Sequence, residues 1–171
     1  ALQFADGNVF GLTTEFEGLP EMGPVGYFTT PGMISNVVPR AHFLSGEQKY
    51  LAGTIRATNF AAGANPDNHA MTTGVGWGAP KHPLHLESRF SNQPAPPGLT
   101  LYGSTDPART DGFNEWVHIW VLGNTMQPNS RTWPATEFYV DMFMWPMMNE
   151  FTIRQNIGPT NYYWGYLASR Q

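Results

Sequence analysis

Between Asn65 and Asp111 the chain runs for roughly 45 residues of Gly, Pro, Thr, His and other polar residues with no sustained hydrophobic period. Structureless stretches beyond about 12–15 residues are uncommon in compact domains unless they carry function. The stretch therefore limits the fold. Any core must come from the segments on either side, and those segments must hold the loop in place. Gly and Pro together make 33 residues (18 + 15), so turns and irregular backbone are expected well outside it too.

The flanking apolar segments read as helices. GEQKYLAGTIRATNFAAG is the clearest, with Leu51, Ile55 and Thr58 or Ala62 at helical spacing and a stop at Gly63 and Pro66. A second helix is expected in GFNEWVHIWVLGN, where Phe113, Trp116, Ile119 and Trp120 form one face. Residues 135–146 suggest a third, ended at Pro146, and Asn161 to Ser169 a short fourth. Residues 1–45 read as loop with one modest apolar segment from Ile34 to Leu44. No run of strands, internal repeat or dividing linker competes. The expectation is an all-α chain with long irregular loops. Four helices with this many aromatics do not close a core readily, so the pattern suits a slice of a larger helical domain.

Only 13% of the residues are charged, against about 25% in ordinary globular domains, while 41% are hydrophobic and 14% aromatic. That composition orders a chain rather than dissolving it. The net charge of -4, with no Lys/Arg cluster, excludes nucleic acid as the default partner. No apolar run approaches the length of a membrane span. Cysteine is absent, which removes disulfides and thiolate metal sites. The N-terminal ALQFADGNVFG has neither the basic nor the apolar region of a signal peptide, and no Met. It is expected to follow a removed leader or a larger upstream portion.

Nucleotide and nucleophile motifs are missing: GxGxxG, GxxxxGK[ST] and GxSxG do not occur. His82 and His85 make a weak zinc pair with no partner at ligand spacing. The loop ANPDNHAMTTGVGWGAPKHPLHLESRFSNQPAPPG is more informative. It brings His69, Trp77, His82, His85, Glu87 and Arg89 together among glycines. Sugar clefts use this mixture, with flat aromatic faces under the ring and polar groups on its hydroxyls. The plainer alternative is a surface loop whose histidines and Arg cap helix ends.

The stretch YVDMFMWPMMNEFTIRQN sets Asp141 and Glu150 among Tyr139, Phe143, Trp145 and Phe151. Burying a carboxylate costs several kcal/mol unless it is paired, hydrogen-bonded or protonated. Either acid is ordinarily a cap or a satisfied core carboxylate. Glu150 is also placed for desolvation, which keeps a carboxyl protonated for work as a general acid.

This stretch resembles the C-terminal active-site signature of glycoside hydrolase family 9, the inverting cellulases. Tyr139, Asp141, Glu150, Thr152 and Asn156 stand at the signature's spacing, while Pro146 and Ile157 depart from it. Upstream, YLAGTIRATNFAAGANPDNHAMTTGVGWGAPKHPLH is similar to the family's final barrel helix, its N-P turn, its T-G-x-G segment and its P-x-H element. Pro83-Leu84-His85-Leu86 stands where Pro-His-His-Arg is usual, and Arg89 is the nearest candidate for the Arg. The resemblance covers roughly residues 45–170.

The resemblance implies the C-terminal portion of an (α/α)6 barrel that hydrolyses β-1,4-glucosidic bonds in cellulose, β-glucan or cello-oligosaccharides. Glu150 would be the general acid and Asp141 a supporting carboxylate. His85, Arg89, Trp77, His82 and Tyr139 would contact sugar. The family's base comes from an Asp-Ala-Gly-Asp element that Asp6-Gly7 and Asp111-Gly112 do not match, so it is expected on an N-terminal portion or chain. No metal ligand or cofactor is expected; some relatives bind calcium, but no Asp-rich loop occurs here. A secreted or periplasmic location is implied. Exo-acting cellobiosidases or glucosaminidases of the same family stay open. So do a non-catalytic carbohydrate-binding module built on Trp77, Trp133 and Trp164, and a structural fragment whose aromatics are only core.

Overall fold

Small residues rather than large ones decide how the helices meet. A computed structural model describes residues 2–7, 9, 37–104, 122–134, 137–153, 156 and 161–170. Their helices are α1 (Leu2–Gly7), α2 (Val37–Ser45), α3 (Gln48–Ala61), α4 (Leu86–Ser91), α5 (Gly123–Thr125), α6 (Pro146–Asn149) and α7 (Asn161–Ala168), with a 3-10 turn at Ser130–Thr132. The all-α expectation is met among the described residues. Most of the expected helix through Trp116 and Trp120 lies outside them.

α3 is the centre, with α1, α2 and α7 packed against it. Its buried face is Gly53, Thr54, Ala57, Thr58, Phe60 and Ala61. The large residues that made its period visible lie elsewhere: Leu51 is half-buried and Ile55 is 42% exposed. A Cβ at Gly53 would collide with the Leu2 side chain and lie 3.4 Å from Val38, so this face admits close neighbours because it is small. The threonines can be buried because their hydroxyls donate back along the helix, Thr54 to Tyr50 O at 2.8 Å and Thr58 to Thr54 O at 2.7 Å. α2 continues the apolar segment expected from Ile34 to Leu44. Its buried His42 reaches the Tyr166 hydroxyl of α7, 2.6 Å from Nδ1.

The second core lies under the C-terminal segment. Leu122, Phe138, Trp145 and Met148 are buried together, with Met126, Trp133, Tyr139, Val140 and Met142 packed around them. Phe138 meets Trp145 edge-on at 5.4 Å and Trp133 at 6.0 Å. The helix expected over 135–146 is not formed in its described part: residues 138–142 are irregular and 143–144 turn. Pro146 starts α6 instead of ending a helix. It occupies the first turn, where its missing N–H costs nothing.

In its described part the long loop is irregular as expected, apart from α4 and one bridge between Thr72 and Thr100. Around that bridge Thr73 N donates to Leu99 O at 2.9 Å and Leu101 N to Met71 O at 2.9 Å. Asn65 fastens the entry to the loop, donating to Phe60 O at 2.9 Å and His69 O at 2.7 Å. The turn that follows requires glycine at Gly76 and Gly78. Both have positive φ, and an added Cβ would lie 2.6 Å from Ala62 O and 2.6 Å from the His69 ring.

Candidate active site

The two segments singled out in the sequence are stitched together through main-chain groups. Asp141 accepts from Lys81 N at 2.7 Å and His82 N at 2.9 Å, one oxygen to each. Two amide donors hold a carboxylate in a half-buried place without any cation. Three successive carbonyls of the C-terminal segment are also taken: Met148 O by Gly103 N at 2.9 Å, Asn149 O by Leu84 N at 2.7 Å and Glu150 O by Tyr102 N at 3.0 Å. The backbone at Glu150 is thus clamped between the P-L-H turn on one side and residues 102–103 on the other. Its side chain is half-buried and has no hydrogen-bond partner among the described residues.

The asparagines of this stretch are structural pins. Asn149 is fully buried; its amide donates to Val140 O at 2.9 Å and Trp145 O at 3.2 Å, and its oxygen accepts from the Tyr139 hydroxyl at 3.1 Å. Asn156 accepts from Thr100 N at 2.7 Å and donates to Thr100 O at 3.3 Å, so one side chain satisfies both main-chain groups of the bridge residue.

His85 joins the two segments by its ring, which stacks on Phe151 at 6.0 Å and 28°. It also caps α4: Ser88 N donates to Nδ1 at 3.2 Å, with Ser88 Oγ 2.6 Å from the same nitrogen. An accepting Nδ1 carries no proton, so the neutral ring bears its hydrogen on Nε2 as a donor. The helix-capping alternative is therefore met in the same residue that the sugar-binding alternative selects. A cleft of about 320 Å³ opens beside it, lined by Lys81, His82, His85, Arg89, Gln93 and Phe143 among others. The Arg89 guanidinium lies 5.2 Å above the Phe143 ring.

Behind the clamp sits a polar group. Burial pushes the Asp67 carboxyl up to about 6, outweighing the Ser104 hydroxyl that donates to it and the nearby His69. Burial, then Asp141, then Asp67 hold the Tyr139 hydroxyl well above its ordinary range, so it stays a donor to Asn149. The Tyr139 ring lies 6.0 Å from that of His69.

No family profile matches the sequence, and no curated protein does. Among solved structures, the GH family 9 endoglucanase J30 superposes with a TM-score of 0.67 and its Zn-binding triple mutant with 0.66. Each is 18% identical, and each match covers 99% of this chain and 28% of that one. The fold is that of a family 9 endoglucanase, over part of its length.

On this family 9 framework the expected site residues fall into two groups. Asp141 and Glu150 lie on the clamp, with Tyr139 bonded to Asn149 behind it, and His82, His85 and Arg89 line the neighbouring cleft, which neither acid lines. Trp77 does not line that cleft; its side chain is 74% exposed while its carbonyl accepts from Ala70 N at 2.7 Å. Of the three tryptophans of the binding-module alternative, Trp77 is exposed, Trp133 packs against Phe138 and Trp164 is half-buried. Among the described residues no group of three His, Asp or Glu could hold a metal ion. Asp67, Phe143 and Phe151 were not singled out for these contacts. Asp67 reads as an ordinary turn residue after Asn65-Pro66, and the partners of the two phenylalanines are fixed only by the folded path.

Proposed function

We propose that this chain is the C-terminal part of an inverting glycoside hydrolase acting on β-1,4-glucosidic bonds, with Glu150 as general acid. The observation that carries this is the clamp: the Glu150 main chain is bonded to Tyr102, and its neighbours Asn149 and Phe151 meet Leu84 and His85, beside an open cleft. A family 9 endoglucanase fold supports it independently. In this reading Glu150 gives its proton to the glycosidic oxygen as the bond to the anomeric carbon breaks. Asp141 orients the 81–82 turn rather than exchanging protons, since both its oxygens accept main-chain N–H groups. His85 offers Nε2–H to a sugar hydroxyl. The water-activating carboxylate, roughly 6.5–9.5 Å from the acid in inverting enzymes, comes from an N-terminal portion of the same protein.

Glu150→Gln tests the assignment. In the full-length protein it should lower kcat on cello-oligosaccharides by about a thousandfold or more while leaving their Kd within about threefold. The wild-type product should form first as the α-anomer, read by NMR. Undiminished hydrolysis in the variant, or a β-anomer as first product, would refute the assignment.

A further inference from the structure

We propose that the cleft beside α4 takes a saccharide carrying an anionic substituent, a carboxylate or a sulfate ester, with Lys81 and Arg89 as its cationic contacts. This rests on the glycosidase reading and narrows its substrate class. The chain as a whole is acidic, with 13 Asp and Glu against nine Lys and Arg. The cleft reverses that balance: Lys81, His82, His85 and Arg89 line it, and no Asp or Glu does among the described residues.

Among the described residues two other cations have carboxylate partners, Lys49 with Glu47 at 2.6 Å and Arg56 with Asp6 at 2.7 Å, while Arg40 and Arg170 lie over the rings of Tyr162 and Tyr166. Among the described residues Lys81 and Arg89 have none. Asp141, the acid bound to this turn, spends both oxygens on the main-chain N–H groups of Lys81 and His82. Glu87 of α4 does not line the cleft.

Lysine and arginine side chains are donors only, and His85 faces outward as a donor because its Nδ1 is used by Ser88. A neutral sugar hydroxyl both donates and accepts, so it would leave much of this donor capacity unmatched. The oxygens of a carboxylate or sulfate only accept, and they form charge-assisted bonds that roughly double the strength of neutral ones. Arg89, seated over Phe143, presents a planar fork suited to either group.

The test is isothermal titration of the full-length protein carrying Glu150→Gln, with three oligosaccharides of equal length and linkage: neutral, C6-oxidised and 6-O-sulfated. At low salt one or both anionic ligands should bind about tenfold tighter than the neutral one, and the preference should shrink at about 0.5 M salt. Lys81→Met and Arg89→Gln should each reduce it to about twofold, while Lys81→Arg keeps it. The better-bound anion identifies the substituent. Equal affinity for all three ligands, or a preference that survives both charge removals, overturns the proposal. If wild type still cleaves neutral glucan, the glycosidase reading stands alone. Charge-dependent binding without cleavage of any of the three overturns the glycosidase reading and the substrate claim with it.

Discussion

Asp67 sits where burial disfavours its charge. Its carboxyl is held up to about 6 from an ordinary 3.8, with burial as the main cause. The native state therefore keeps this proton more tightly than the unfolded chain does. The sign follows from linkage: the contribution to stability is full below about pH 4 and is lost as the pH rises through about 6. Asp67→Asn should flatten that fall. In the full-length protein, the melting temperature of the variant should gain on wild type between pH 4 and pH 7. Parallel curves across that window would show that Asp67 is not held protonated. Nothing local marks this, because an Asp after Asn-Pro has the composition of any turn, and its burial and its bond from Ser104, 37 residues away, come only with the folded path.

At the scale of the helix, the small face of α3 decides the packing. Ala57 is fully buried there, and an isobutyl side chain in place of its methyl has no space to enter without displacing its neighbours. Ala57→Leu should destabilise the full-length protein by about 1–3 kcal/mol, measured by denaturant unfolding. A neutral result would mean that this face is not the packed one. The helix itself was legible from Leu51 and Ile55, and its end from Gly63. Its inward direction was not. Hydrophobic periodicity weights large residues, whereas close helix approach selects Gly, Ala and back-bonded Thr, which score as neutral or polar. Pro146 misled for a related reason: proline ends a helix or begins one, and only the path before it decides which.

Across the whole molecule the site depends on pairings that no local pattern records. Asp141 and Lys81 are 60 residues apart, and the donors are main-chain N–H groups that any residue type supplies. The signature spacing made Asp141 and Glu150 visible, but not what Asp141 holds. Asp141→Asn retains the shape but turns one acceptor into a donor, which must then face an N–H group. It should lower kcat/KM by about tenfold or more while circular dichroism stays native, since an orienting contact displaced by a fraction of an ångström is costly to catalysis. Unchanged kinetics would mean that the Lys81–His82 turn needs no such anchor.

The fastening of three consecutive carbonyls, at Met148, Asn149 and Glu150, has a mechanical consequence. The pivot of the Glu150 side chain is immobilised from both flanks, so under the proposed general-acid role any travel toward a leaving oxygen comes from rotation about the side chain's own bonds. The carboxyl then sweeps a short arc of fixed radius. In the role proposed for Glu150, bringing a glycosidic oxygen within that arc falls to groups outside the clamp.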